Sequence, residues 1–207
     1  PACEAALDKK SLDRVWESYY DQSLQQPHKL VKYKPVLISC QIGKQRYEKQ
    51  PDREDFDLAD KVERTPVPRW YPSGEMLEGE RKGKDGYHLK GITHLHHFYF
   101  RRPLVAYSNL WKRTETIQNV SLRNYLKFYI QGACQSFTKM NRYRHDAFSQ
   151  LNQIMSGTMF VGSLTAEISP SYALTNKLGR LLKLNYKRNF HSVAITAQSS
   201  TNIGHLP

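Results

Sequence analysis

Acidic residues are scarce in the second part of this chain: after residue 80 only Asp85, Glu115, Asp146 and Glu167 remain, against 18 of the 31 lysines and arginines. Residues 81–207 therefore carry a net charge of +14, while residues 1–80, with 15 acids and 13 bases, stand at −2. So basic a stretch calls for an anionic neighbour, because uncompensated charge repels itself and adheres non-specifically.

Cysteine is equally sparse. Cys3, Cys40 and Cys134 are odd in number and far apart, which excludes a secreted disulfide framework and a paired-thiol metal site and favours a reducing compartment. Apolar residues reach only 39%, with a mean hydropathy of −0.67, so the core is expected to be modest. The first 25 residues include Glu4, Asp8, Asp13, Glu17 and Asp21 and lack an apolar run, matching neither a transit peptide nor a secretory signal. A start at Pro1 fits removal of an initiator methionine or of a presequence.

Aromatic residues are plentiful by contrast, at 12% with 13 tyrosines, a composition that argues against disorder and suits surfaces covered by other molecules. Leu12, Val15, Trp16, Tyr19, Tyr20 and Leu24 follow helical spacing, with Ser11 as cap and Pro27 as stop, which predicts a docking helix within residues 1–26. Prolines at 35, 51, 66, 68 and 72 then predict an extended arm over residues 27–86.

Residues 87–190 read as a basic helical region and 191–207 as a tail. A strand or hairpin is expected over Ile92–Phe100, followed by a helix from Pro103 to about Arg113. Ser121 would cap a longer helix reaching Met155, in which Leu122, Leu126, Tyr129, Ala133, Phe137, Met140, Phe148, Leu151 and Met155 share one side. Arg144 would interrupt that apolar side and need an acceptor. Ser169–Pro170 opens a last helix to about Arg188. The expected fold is mainly α: amphipathic helices joined by long proline-punctuated segments, with at most a short strand or hairpin near residues 87–100.

Candidate chemistry is thin. His94 and His96 would share one strand face, with His88 and His97 nearby, but two nitrogens fall short of a four-ligand structural metal site. The acids Asp52, Glu54, Asp55, Asp57 and Asp60 lack the central glycine and final glutamate of a calcium loop and read as a solvated face or a patch for a basic neighbour. Gly79, Gly83 and Gly86 match no phosphate loop and read as a flexible turn. Twenty uncharged residues, Ala147–Ala166, are long enough to span a bilayer but too polar in their first half, so a packed helix end and loop is expected.

The expectation is thus a chain with no catalysis, cofactor or small-molecule substrate of its own. Leu12, Val15, Trp16, Tyr19 and Tyr20 would dock on protein. Arg123, Lys127, Lys139, Arg142 and Arg144 on one helix, and Lys177, Arg180, Lys183, Lys187 and Arg188 on the next, would face an anionic partner. An accessory subunit of a mitochondrial inner-membrane assembly, such as a respiratory or ATP synthase complex, satisfies this pattern through protein neighbours and anionic lipid headgroups. A ribosomal protein, including a mitochondrial one, that binds rRNA through the same basic helices is the alternative.

Overall fold

A computed structural model describes residues 13–147 and 149–183. Leu12, Phe148, Tyr186, Lys187, Arg188 and the expected tail lie outside the described residues.

The fold is mixed α and β, with 40% helix and 17% strand, rather than mainly α. The correction begins at the N-terminal segment. Strand β1 (Trp16–Asp21) pairs with β2 (Gln26–Val31) as an antiparallel hairpin, with Trp16 opposite Val31 and Asp21 opposite Gln26. The docking helix is therefore absent among the described residues of this segment, and its expected stripe is split: Tyr19 faces inward with Glu17 and Asp21, while Trp16 and Tyr20 face solvent with Ser18. Aromatic and β-branched side chains favour this pleated surface over a helix. Asp21 also fixes the turn, its Oδ1 accepting the N–H groups of Ser23 (2.9 Å) and Leu24 (3.2 Å).

The expected extended arm contains regular structure as well. Strands β3 (Ile38–Ile42) and β4 (Gln45–Lys49) form a second hairpin around Gly43, and every residue of β4 is exposed. The acidic segment becomes helix α1 (Arg53–Glu63): Asp52 accepts from Asp55 N–H (3.1 Å) and Asp55 accepts from Asp52 N–H (2.9 Å), a capping box that satisfies two orphan donors. Glu54 and Asp55 sit in its first turn, where the helix dipole favours them. The glycine-rich stretch forms the short helix α2 (Glu80–Asp85), braced by Lys82–Glu78 and Lys84–Glu80 pairs and ended by left-handed Gly86.

No strand forms at residues 92–98. Two 3-10 turns, Tyr87–Lys90 and Leu95–Phe98, flank Gly91, and the only pairing nearby is the isolated bridges Glu75–His94 and Tyr99–Thr138. Helix α3 (Arg101–Glu115) follows as expected, with Pro103 in its first turn and Leu104 and Tyr107 inward. Helix α4 (Val120–Gln131) is capped by Asn119, whose side chain accepts from Leu122 N–H (2.9 Å), and stops at Gly132 rather than running to Met155. Beyond that point Ala133, Phe137, Met140 and Leu151 serve the cores from a 3-10 turn, Cys134–Phe137, and from loops, whereas Met155 is exposed.

Residues 141–147 and 149–166 contain no helix or strand and are tied together by Asn141, which is fully buried. Its Nδ2 donates to Gln150 O (2.8 Å) and Ala166 O (3.0 Å), and its Oδ1 accepts from Gln153 N–H (2.9 Å). The described residues of the uncharged run at 147–166 are thus loop, and no helix among the described residues is long and apolar enough to cross a membrane. Helix α5 (Pro170–Leu182) begins after Ser169, and Tyr129 donates from α4 to its Leu174 carbonyl (2.5 Å).

Two small cores result. Tyr87, Ile92, Phe98 and Val161 form one, with Tyr33 and Met140 against it; Ala133, Phe137, Ile168 and Ala173 form the other. Tyr99 packs on both. Apolar area is limited, so polar groups must hold the space between the hairpin and the first core.

Candidate functional site

That space is filled by a carboxylate and histidines. The hairpin aims Asp21 inward, and the Leu95–Phe98 turn presents His96 and His97 to it. Asp21 is 2% exposed and His97 1%. Asp21 Oδ2 accepts from His96 Nε2–H (2.8 Å), His97 Nε2–H (2.9 Å) and the Tyr19 hydroxyl (3.3 Å). His28 stacks on His97 with ring centres 4.1 Å apart, and His94 lies within 6 Å of both inner rings.

Protonation follows from the partners. Thr93 N–H and His94 N–H both point at His97 Nδ1 (3.2 and 3.3 Å), which places its ring proton on Nε2, facing Asp21. Burial drives the His97 pKa down to about 3 against the opposing pull of Asp21, and it lowers that of His96 as well. Burial alone would raise the Asp21 carboxyl; hydrogen bonds from His97 and His96 outweigh it and hold the group below its ordinary range. The cluster is a charged carboxylate held by two neutral imidazoles.

Asp21, His96 and His97 could each offer one ligand atom to a metal, with these atoms within 4.8 Å of one another. The protons are wrong for that role. A metal would need the Nε2 lone pairs and move both ring protons to Nδ1, where a bound imidazole wants an acceptor. His97 Nδ1 instead meets two N–H donors, and His96 Nδ1 is buried without a partner. The donor set does not fit a metal. The three side chains are buried, and the clefts at Asp57–Pro66 and at Arg69–Glu115 are lined by other residues.

The cluster continues through the backbone. Lys139 Nζ donates to the His97 carbonyl (2.9 Å) and lies 5.7 Å from the Phe100 ring centre and 6.0 Å from that of Tyr33. Burial lowers its pKa to about 8. Lys139 was expected on an outer cationic face; it is a core residue.

Most of the other cations also have inward employment. Arg123 reaches the Ile117 carbonyl (3.3 Å), Arg142 the Gln153 carbonyl (3.1 Å), and Lys127 lies 4.9 Å from the centre of the Trp111 ring. Arg144 is exposed and pairs with Asp146 (2.5 Å), so it interrupts no apolar helix side. Lys177 lies across Gly132, at the end of α4 where unpaired carbonyls favour a cation. Arg180 and Lys183 are exposed at the end of α5. Of the expected protein-docking residues, Val15, Trp16 and Tyr20 are exposed on the hairpin, whereas Tyr19 turns toward Asp21.

Sequence reasoning singled out His94 and His96 but missed Asp21, the residue that organises them. Nothing local marks it, since its partners lie 75 and 76 positions away.

Comparison with protein-family models, curated proteins and solved structures finds no match for this chain.

Proposed function

We propose that this protein is a non-catalytic accessory subunit of a large assembly, with a mitochondrial inner-membrane complex as its setting. One observation carries the reading: among the described residues 24 large hydrophobic residues are exposed, against 12 buried hydrophobic residues. They are grouped on elements: Val15, Trp16 and Tyr20 on the first hairpin, Ile42 and Tyr47 on the second, Val120, Leu122 and Phe128 on α4, Leu178 and Leu182 on α5. Scattered apolar residues on a surface need no explanation, but faces of this extent mark surfaces that partners cover. Arg180 and Lys183 beside Leu178 and Leu182 make a small cationic amphipathic tip, the form that meets anionic headgroups at a membrane surface.

The test changes surface residues only. Leu122→Asp with Phe128→Asp should leave the isolated fold intact and release the chain from the large particle with which the native protein co-sediments. Leu182→Asp with Lys183→Glu should weaken binding to vesicles containing anionic lipid. Unchanged vesicle binding, together with strong and steeply salt-dependent retention on structured RNA, would replace this reading with the ribosomal one.

A further inference from the structure

A cleft of about 250 Å³ opens between helix α3 and the proline-flanked segment before α2, lined by Arg69, Trp70, Ser108, Trp111, Lys112 and Glu115. We propose that it binds a nucleotide, the base against Trp70 and Trp111 and the phosphate toward the basic rim. The proposal goes beyond the accessory-subunit reading and does not depend on it.

Three observations converge. The first is a presented aromatic surface. Val67 is buried on one side of Trp70, and on the other side Tyr71 packs on His96 (5.5 Å) and accepts from Ser23 Oγ (2.5 Å). The segment is anchored at both places, yet the Trp70 ring between them is 58% exposed. It stands 5.5 Å from Trp111 at 37°, an open wedge rather than a closed stack. Trp111 is itself held against Tyr107 (5.9 Å, 20°) and Lys127.

The second is the floor. Ser108 is 0% exposed, lines the cleft, and its Oγ has no hydrogen-bond partner. A buried hydroxyl normally finds one. It is covered while Trp70 and Trp111 stay together, and a base that stacks on the exposed Trp70 and parts the wedge would bring a polar edge to it, since every base offers donors and acceptors.

The third is charge. Arg69, Lys112 and Lys127 surround the cleft against one acid, Glu115, which pairs with Lys112 (2.9 Å). This surplus suits a phosphate and disfavours a cationic ligand. Aromatic rings beside cations are the recurring recipe for unpaired nucleotides, stacking supplying affinity without demanding a particular base. The volume suits one ring system and its substituent, below the ~300–1,000 Å³ of drug-sized pockets.

The shared chemistry can be offered by a free nucleotide or by one unpaired nucleotide of an RNA strand. The experiment titrates the full chain with AMP, a short single-stranded oligoadenylate, an RNA duplex of the same length, inorganic phosphate, and an acidic tyrosine-bearing peptide, following tryptophan emission. Quenching by AMP identifies the free nucleotide as sufficient; quenching by the single strand alone identifies the strand. In either case Trp70→Ala should weaken binding about tenfold or more, the scale of losing one stacked base. Ser108→Ala should weaken it less, and Trp16→Ala, on the hairpin, should not change it. The idea fails if Trp70→Ala binds as tightly as the native chain, if duplex or phosphate alone gives the same response, or if only the peptide quenches.

Discussion

The Lys139 ammonium donates to the carbonyl of His97 (2.9 Å) while the His97 ring donates to Asp21 (2.9 Å), so one residue joins a buried cation to a buried anion without the two meeting. Charge that looks external in the sequence is structural in the fold.

Asp21 is the acceptor that five donors share, the Tyr19 hydroxyl among them. Asp21→Ala strands the ring N–H groups of His96 and His97 and the turn amides of Ser23 and Leu24. Loss of about 3–5 kcal/mol is expected, as for breaking a buried ionic network, and urea denaturation of the full chain would measure it. A loss under 1 kcal/mol would mean the cluster is solvated.

His97 gives the stability a direction in pH. Its folded pKa, about 3, lies below the unfolded value near 6.5, so the unfolded chain holds more protons between those limits. Stability should therefore fall as pH drops below 6.5, by about 2 kcal/mol between pH 7 and pH 5 for this one group. His96 shifts in the same direction and adds to the slope. His97→Gln should flatten the dependence in denaturation midpoints taken at pH 7, 6 and 5.

Lys139 acts at the other end of the scale. Burial lowers its folded pKa to about 8, whereas the unfolded chain keeps this proton to about pH 10.4. The unfolded state thus binds more protons above pH 8, and stability from this group should rise by about 1–2 kcal/mol between pH 8 and 9.5. Lys139→Met should abolish that rise, read as the difference between the two stability curves.

Gly91 marks a close approach that no other residue fits. Its φ is +81°, and a Cβ there would lie 2.0 Å from the Lys29 carbonyl oxygen, which belongs to β2 backbone and cannot swing away. Gly91→Ala should cost about 2–4 kcal/mol, from strain plus a displaced hairpin, with thermal unfolding as the readout. The His28 Nε2 contact to Gly91 O (2.6 Å) would be lost with it, so the His28 imidazole resonances should move.

How much of this could be read in advance depended on where each element's partners lie. Helices α3 and α5 were legible because Pro103 and Ser169–Pro170 mark their starts and Tyr107 and Ala173 lie on faces turned inward. Helix α4 begins two residues before its expected start, with Asn119 rather than Ser121 as cap, and ends early, because Phe137 and Met140 keep a helical spacing while packing from a turn and a loop. The hairpin was illegible for the opposite reason. Its inward face is Glu17, Tyr19 and Asp21, so no alternation of apolar residues announces a strand. The histidines were visible as a group, but their geometry came from a 3-10 turn and from an aspartate far along the chain.

The span of these contacts sets an order of events during synthesis. Asp21 waits for residues 96 and 97, and Tyr33 donates to the Gly162 carbonyl (3.1 Å) across 129 positions. Val161 then completes the core that Tyr87, Ile92 and Phe98 begin. The first hairpin emerges early yet meets His96 and His97 only when about half of the chain has been made, and the core behind them stays open until Val161 follows, since long-range closure must precede the contacts that reward it. Until then the inward face of β1, Tyr19 and Asp21, is uncovered along with Trp16 and Tyr20, which stay exposed in the finished fold. Nascent chains of this protein should therefore depend on chaperone contact until the segment around residue 165 leaves the exit tunnel.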